Sequence, residues 1–128
     1  MIVSIYAALL AMLFIFMSLR IIKIRRRLKI AIGDDGNEQL QRAMRVHANF
    51  SEYVPLSLIL ALLVELSNGH NVIVHIICLC LLLGRYIHAY GVSQTEETFR
   101  FRILGMQLTF ASLTISCVSL IILQIINF

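Results

Sequence analysis

Residues Ile2 to Ile22 read IVSIYAALLAMLFIFMSLRII, with no charged side chain before Arg20. At helical rise this stretch is about 30 Å long, the thickness of a bilayer's hydrocarbon core. It resembles a signal peptide only in being apolar. Its basic cluster follows the apolar run instead of preceding it, and a small-residue cleavage site is absent, so it reads as a retained membrane helix.

Working outward, the connector that follows holds Lys23, Arg25, Arg26, Arg27 and Lys29, then the turn-forming Gly33-Asp34-Asp35-Gly36. A second helix is expected from Asn37, a suitable N-cap, to Leu66; at about 45 Å it overhangs a bilayer or tilts. The short link Ser67 to Asn71 permits only an antiparallel neighbour. A third span is expected over Val72 to Val92 and a fourth over Ile103 to Ile126, joined by the polar segment Ser93 to Arg102. The sequence therefore predicts an all-α polytopic membrane protein: one domain over residues 1–128, with four helices at about 2–22, 37–66, 72–92 and 103–126.

Composition agrees with that reading. Hydrophobic residues make up 59% of the chain and charged residues 14%, about half the charge of a soluble domain, so a soluble globule is excluded. The net charge of +4 comes from basic residues beside apolar runs, where they set topology, and nucleic acid is not an expected partner. Arg and Lys fill the first connection and recur as Arg100 and Arg102 in the third. Both termini are therefore expected outside, with connections one and three in the cytoplasm. Cys78, Cys80 and Cys117 lie in apolar runs and read as packing residues. His70 and His75 have no second ligand at helical spacing, so no metal site is expected.

The polar residues inside the spans converge at one depth. Glu52 lies about 21 Å from the outer end of helix two and Arg85 about 20 Å from that of helix three. Charges held so deep face a protein interior and are functional candidates by default. The alternative is a structural ion pair between the two. Arg42, Arg45, Asn49 and Glu52, at steps of three, four and three, share one face of helix two. Pro55 lies just beyond them and frees the Ser51 carbonyl. On helix three, Arg85 and His88 share one face while Tyr86 and Tyr90 share another, and either could face the site. Several arginines with a carboxylate and an amide suit a water-soluble ligand with more carboxylates than amines, because the planar guanidinium grips carboxylates bidentately. Apolar walls would admit a lipophilic second substrate from the membrane lipid.

The segment Arg45-Val46-His47-Ala48-Asn49-Phe50-Ser51-Glu52-Tyr53-Val54-Pro55 resembles the signature of the MAPEG family, membrane-associated proteins in eicosanoid and glutathione metabolism. The pattern is Arg-x-x-x-Asn-x-x-Glu followed by an aromatic residue and a proline. The basic pair Arg25 and Arg26, Arg85-x-x-His88 and an arginine opening helix four extend the likeness over Ile2 to Ile126. Where the family commonly has an acidic residue ahead of the signature, this chain has Gln41.

The resemblance implies a homotrimer of four-helix protomers, with glutathione as co-substrate bound between protomers on the cytoplasmic side. Arg45, Asn49 and Glu52 would bind the tripeptide, Arg25 would help with a carboxylate, Arg85 would contribute from helix three, and His88 or Tyr90 would lie close by. Arg102, or in its place Arg100, would stabilise the thiolate catalytically. The compact chain is most similar to the small bacterial branch, implying an inner (cytoplasmic) membrane location and a glutathione transferase or peroxidase acting on lipophilic electrophiles or lipid hydroperoxides. A catalytically silent scaffold or lipid-binding protein is the alternative. A small multidrug exporter fits worse, because such exporters depend on a carboxylate in the first span and Ile2 to Ile22 has none.

Overall fold

The computed structural model describes residues 1–94 and 99–126. These form four α-helices, α1 (Ile2–Leu28), α2 (Glu38–Leu66), α3 (Asn71–Ser93) and α4 (Phe99–Ile126). Each is long and apolar enough to cross a membrane. Large apolar side chains such as Ile5, Phe16, Ile59, Ile121 and Ile125 are exposed on the outside of the bundle, the arrangement expected where lipid is the solvent.

Two boundaries differ from the sequence reading. Helix α1 runs to Leu28 instead of ending at Ile22, so Arg25, Arg26 and Arg27 form its last turn. Cations there complement the negative end of the helix dipole, and nothing in that stretch breaks a helix. The helix stops at Lys29, whose left-handed φ of 56° lets the Ile30 N–H reach the Arg25 carbonyl at 3.1 Å. Helix α4 starts by Phe99 instead of Ile103, so Arg100 and Arg102 are helical. The middle of the expected third connection, residues 95–98, lies outside the described residues.

Other local expectations hold. Asn37 Oδ1 accepts the Leu40 N–H at 3.0 Å and caps α2. Gly33 and Gly36, with φ of 72° and 71°, supply the left-handed backbone that turns the chain back. Helix α2 then continues through Pro55 to Leu66.

Packing joins the helices in three apolar layers. Val3, Val64, Val74 and Ile77 fill one end, Leu10, Leu13, Phe50, Val54 and Leu81 the middle, and Ile24, Leu40 and Ala43 the basic end. At the end away from the arginines, the Glu65 carboxylate accepts the backbone N–H groups of Ile2 and Val3, the latter at 3.0 Å. An acid from α2 thus caps the positive end of α1.

Helices α3 and α4 meet backbone to backbone at Gly84 and Gly105. A Cβ on Gly84 would lie 2.8 Å from the Gly105 carbonyl oxygen, and one on Gly105 would lie 2.7 Å from that of Gly84. Small residues let membrane helices meet backbone to backbone. Ser112 Oγ, buried on the same face of α4, donates to the Ile77 carbonyl at 2.9 Å.

Candidate functional site

At the basic end, α2, α3 and α4 enclose a cleft of about 520 Å³, within the usual range for small-molecule sites. The polar stripe of α2 forms one wall: Arg42, Arg45, Asn49 and Glu52 all line it, with Glu38, Gln41 and Ala48. Helix α3 contributes His88 and Val92, and α4 contributes Arg102. Arg45, Glu52 and Arg102 are exposed, Asn49 is half-buried and His88 is buried. Arg42 is tied to Glu38 by an ion pair of 2.9 Å.

Arg85 does not line the cleft. It lies behind Asn49, only 2% exposed. Its Nη1 donates to Asn49 Oδ1 at 2.7 Å, and its Nη2 donates to Thr109 Oγ1 at 2.6 Å. The guanidinium carbon stands 5.9 Å from the centre of the Tyr53 ring. A buried cation needs acceptors, and neutral oxygens on two other helices provide them. Among the described residues Arg85 makes no ion pair with Glu52, so the alternative of a structural pair is replaced by a bridge linking α3 to α2 and α4.

Of the remaining candidates, Arg25 and Tyr90 stand apart from the cleft. The Arg25 Nη1 donates to the Gly33 carbonyl at 2.9 Å and to that of Ala31 at 3.4 Å, clamping the turn between α1 and α2. Tyr90, two positions from His88, points to the other side of α3 and stacks edge-on against Phe101 at 5.7 Å. It is therefore the Arg85 and His88 face of α3 that turns toward the cleft region, while Tyr86 and Tyr90 face a groove beside α1. Of the two arginines opening α4, Arg102 lines the cleft.

Sequence reasoning missed Thr109, Glu38 and Val92. For Thr109 a signal existed: Gly105, Thr109, Ser112 and Ser116 recur at steps of four, three and four, and all are buried. Such a stripe of small residues marks a helix–helix seam. Glu38 places an acid in the cleft one turn before Gln41. Among the described residues no group of three His, Cys, Asp or Glu side chains could hold a metal ion.

The arrangement offers guanidinium groups to carboxylates, a carboxylate to an ammonium, and an amide between them. The MAPEG family model matches residues 3–122. The chain belongs to the MAPEG family. Within the family it is similar to the inner membrane protein YecN of Escherichia coli K12, at 36% identity over 113 residues, covering 88% of this chain and 85% of the relative. YecN of Escherichia coli O6:H1 strain CFT073 matches to the same extent. No solved structure matches the chain significantly.

Proposed function

We propose that this MAPEG protein is a glutathione-dependent transferase or peroxidase of the bacterial inner membrane, acting on lipophilic electrophiles or lipid hydroperoxides. The observation that carries the reading is the cleft itself: Arg45, Asn49 and Glu52 from α2 meet His88 from α3 and Arg102 from α4 around one space of suitable size. Glutathione has two carboxylates, one ammonium and two peptide amides. Arg45 takes a carboxylate through its planar fork, and Glu52 takes the ammonium. Because Asn49 Oδ1 already accepts from Arg85, its amide N–H groups are the part presented to a peptide carbonyl.

Arg102 acts on the sulfur. A thiol of ordinary pKa is mostly protonated at neutral pH, and a guanidinium within hydrogen-bond reach favours the thiolate. The thiol proton leaves to water. In transfer, the thiolate attacks an electrophilic carbon, forming the S–C bond as the leaving group departs or the π-bond electrons shift. In peroxide reduction it attacks one peroxide oxygen and expels the alcohol, giving a sulfenic acid. A second glutathione converts that to the disulfide and water, so two thiols are oxidised for each peroxide reduced. His88 lines the same space and would orient the tripeptide.

The protein would work as a homotrimer, with cytoplasmic connections one and three and both termini outside. Arg25 and Tyr90 do not line the cleft of their own protomer, so their contact with glutathione requires a neighbouring copy. The inner-membrane location draws on the names of the relatives and on the four apolar helices.

Titration of the detergent-purified protein with glutathione by calorimetry, followed by conjugation and peroxide-reduction assays, tests the reading. Saturable binding with turnover is expected. Absence of binding overturns it, and binding without turnover assigns the silent role instead. Native mass spectrometry should show a trimer; a stable monomer that binds glutathione would exclude a site shared between protomers.

A further inference from the structure

One face of α1 changes character along its length. Leu13, Phe16 and Met17 give way, at helical spacing, to Arg20, Lys23 and Arg27. The apolar part forms a trough of about 540 Å³ with Tyr86, Ala89 and Tyr90 of α3 as its far wall. The basic part forms a cup of about 430 Å³ between Arg20, Lys23, Arg27 and Gln39 of α2. Arg20 lines both, so trough and cup adjoin at its side chain. They share no residue with the polar cleft.

Among the described residues, the arginines of the cup meet only neutral partners. Arg20 Nη1 donates to Ser93 Oγ at 2.6 Å, and Arg27 Nη2 donates to Gln39 Oε1, both neutral acceptors. Among the described residues neither makes an ion pair, and a guanidinium has five N–H donors to satisfy. Depth agrees as well. Arg20 lies about 27 Å along α1 from Ile2, close to the edge of a hydrocarbon core, so the cup falls at headgroup level and the trough at acyl-chain level.

We infer that the α1/α3 groove is a binding site for an anionic phospholipid, with an acyl chain in the trough and the phosphate held by Arg20, Lys23 and Arg27. A phosphodiester suits the cup better than a fatty-acid carboxylate because the three cations are spread over about 10 Å of helix. Guanidinium and ammonium groups at a membrane surface attract anionic lipid by short-range electrostatics. The groove shares no lining residue with the cleft of its own protomer, and its lipid-retention test is read independently of glutathione binding.

Native mass spectrometry of the detergent-purified protein supplies the test, using phosphatidylglycerol, phosphatidylethanolamine with matched acyl chains, and palmitate. The wild type should retain phosphatidylglycerol preferentially. Lys23→Gln with Arg27→Gln, both at exposed positions, should lower that preference by about fivefold per charge removed, and adding Arg20→Gln should abolish it. Arg26→Gln removes an adjacent exposed charge outside the groove and should leave the preference intact. Ala89→Phe, which fills the trough, should weaken retention of both phospholipids. Equal retention of the two phospholipids by wild type overturns the proposal. So does an equal effect of Arg26→Gln, a stronger hold on palmitate, or a trimer whose groove is covered by a second copy and retains no lipid. The Lys23 and Arg27 pair keeps the test decisive if the triple variant fails to fold.

Discussion

Arg85 on α3 and Asn49 on α2 are joined by a 2.7 Å hydrogen bond beneath the cleft, and the same guanidinium holds Thr109 of α4 at 2.6 Å. One buried cation thus fixes the relative positions of the three helices that contribute cleft residues, and it orients the amide at the cleft's floor. Arg85→Lys keeps the charge but loses the fork that spans both acceptors. It should weaken glutathione binding about tenfold, equivalent to about 1.4 kcal/mol, without touching the ligand. Asn49→Leu should lower stability by about 1 to 3 kcal/mol, because it removes an acceptor from a buried charge. Calorimetric binding and thermal unfolding of the two variants separate the effects.

Binding and chemistry should divide between α2 and α4. Arg45→Ala or Glu52→Ala removes a charge-assisted contact and should cost about 1.5 to 3 kcal/mol of glutathione affinity. Arg102→Leu should leave affinity largely unchanged while the ultraviolet thiolate signal and turnover decline together, since the thiol's pKa is no longer held down. A pH series on each variant measures both. Loss of thiolate in Arg100→Leu, with retention in Arg102→Leu, would move the activating role to the neighbouring arginine.

The α3/α4 seam should be intolerant of even one methyl group. In Gly105→Ala the new Cβ would lie 2.7 Å from the Gly84 carbonyl oxygen and 2.7 Å from both the backbone nitrogen and Cβ of His88. Backbone atoms cannot move aside cheaply, so the helices must separate. An overpacking cost of about 1 to 3 kcal/mol should appear as a lower unfolding temperature. Glutathione affinity should fall with it, because His88 is displaced. Gly33→Ala, in the α1–α2 turn where no atom lies within 4 Å of the added Cβ, should cost about 1 to 2 kcal/mol from its left-handed backbone and leave affinity unaltered.

Orientation follows from the distribution of Arg and Lys. A reporter fused after Phe128 should be active only on the outer side of the membrane, and reversing the charges at Arg25, Arg26 and Arg27 should weaken that preference. Activity of the wild-type fusion in the cytoplasm would invert the placement of the whole cleft.

Much of this architecture was legible in the sequence because lipid imposes a simple rule: backbone groups must be satisfied within a helix, so long apolar runs become helices. The stripe of Arg42, Arg45, Asn49 and Glu52 was equally legible, since spacing alone puts it on one face. The basic residues Arg25 to Arg27 were harder. A charge cluster reads as the end of a span, whereas hydrogen bonding carries the helix past the hydrocarbon edge to Leu28. The choice between the His88 and Tyr90 faces of α3 depended on where α4 packs, and that is decided by Gly84 and Gly105 in partnership. Arg85 was recognised as unusual from its depth, but its partners, Asn49 and Thr109, lie 36 and 24 residues away in sequence, beyond the reach of any local pattern.

The Glu65 cap has a consequence for biogenesis. When α1 first enters the bilayer, the N–H groups of its opening turn have only interfacial water to bond. The carboxylate that replaces that water arrives with the last turn of α2, 63 positions further along the chain from Ile2. The first two spans therefore complete one another: the opening turn of α1 is satisfied only once α2 lies beside it. Glu65→Gln, which takes the negative charge from that contact, should loosen the α1–α2 pair at the end of the bundle opposite the cleft.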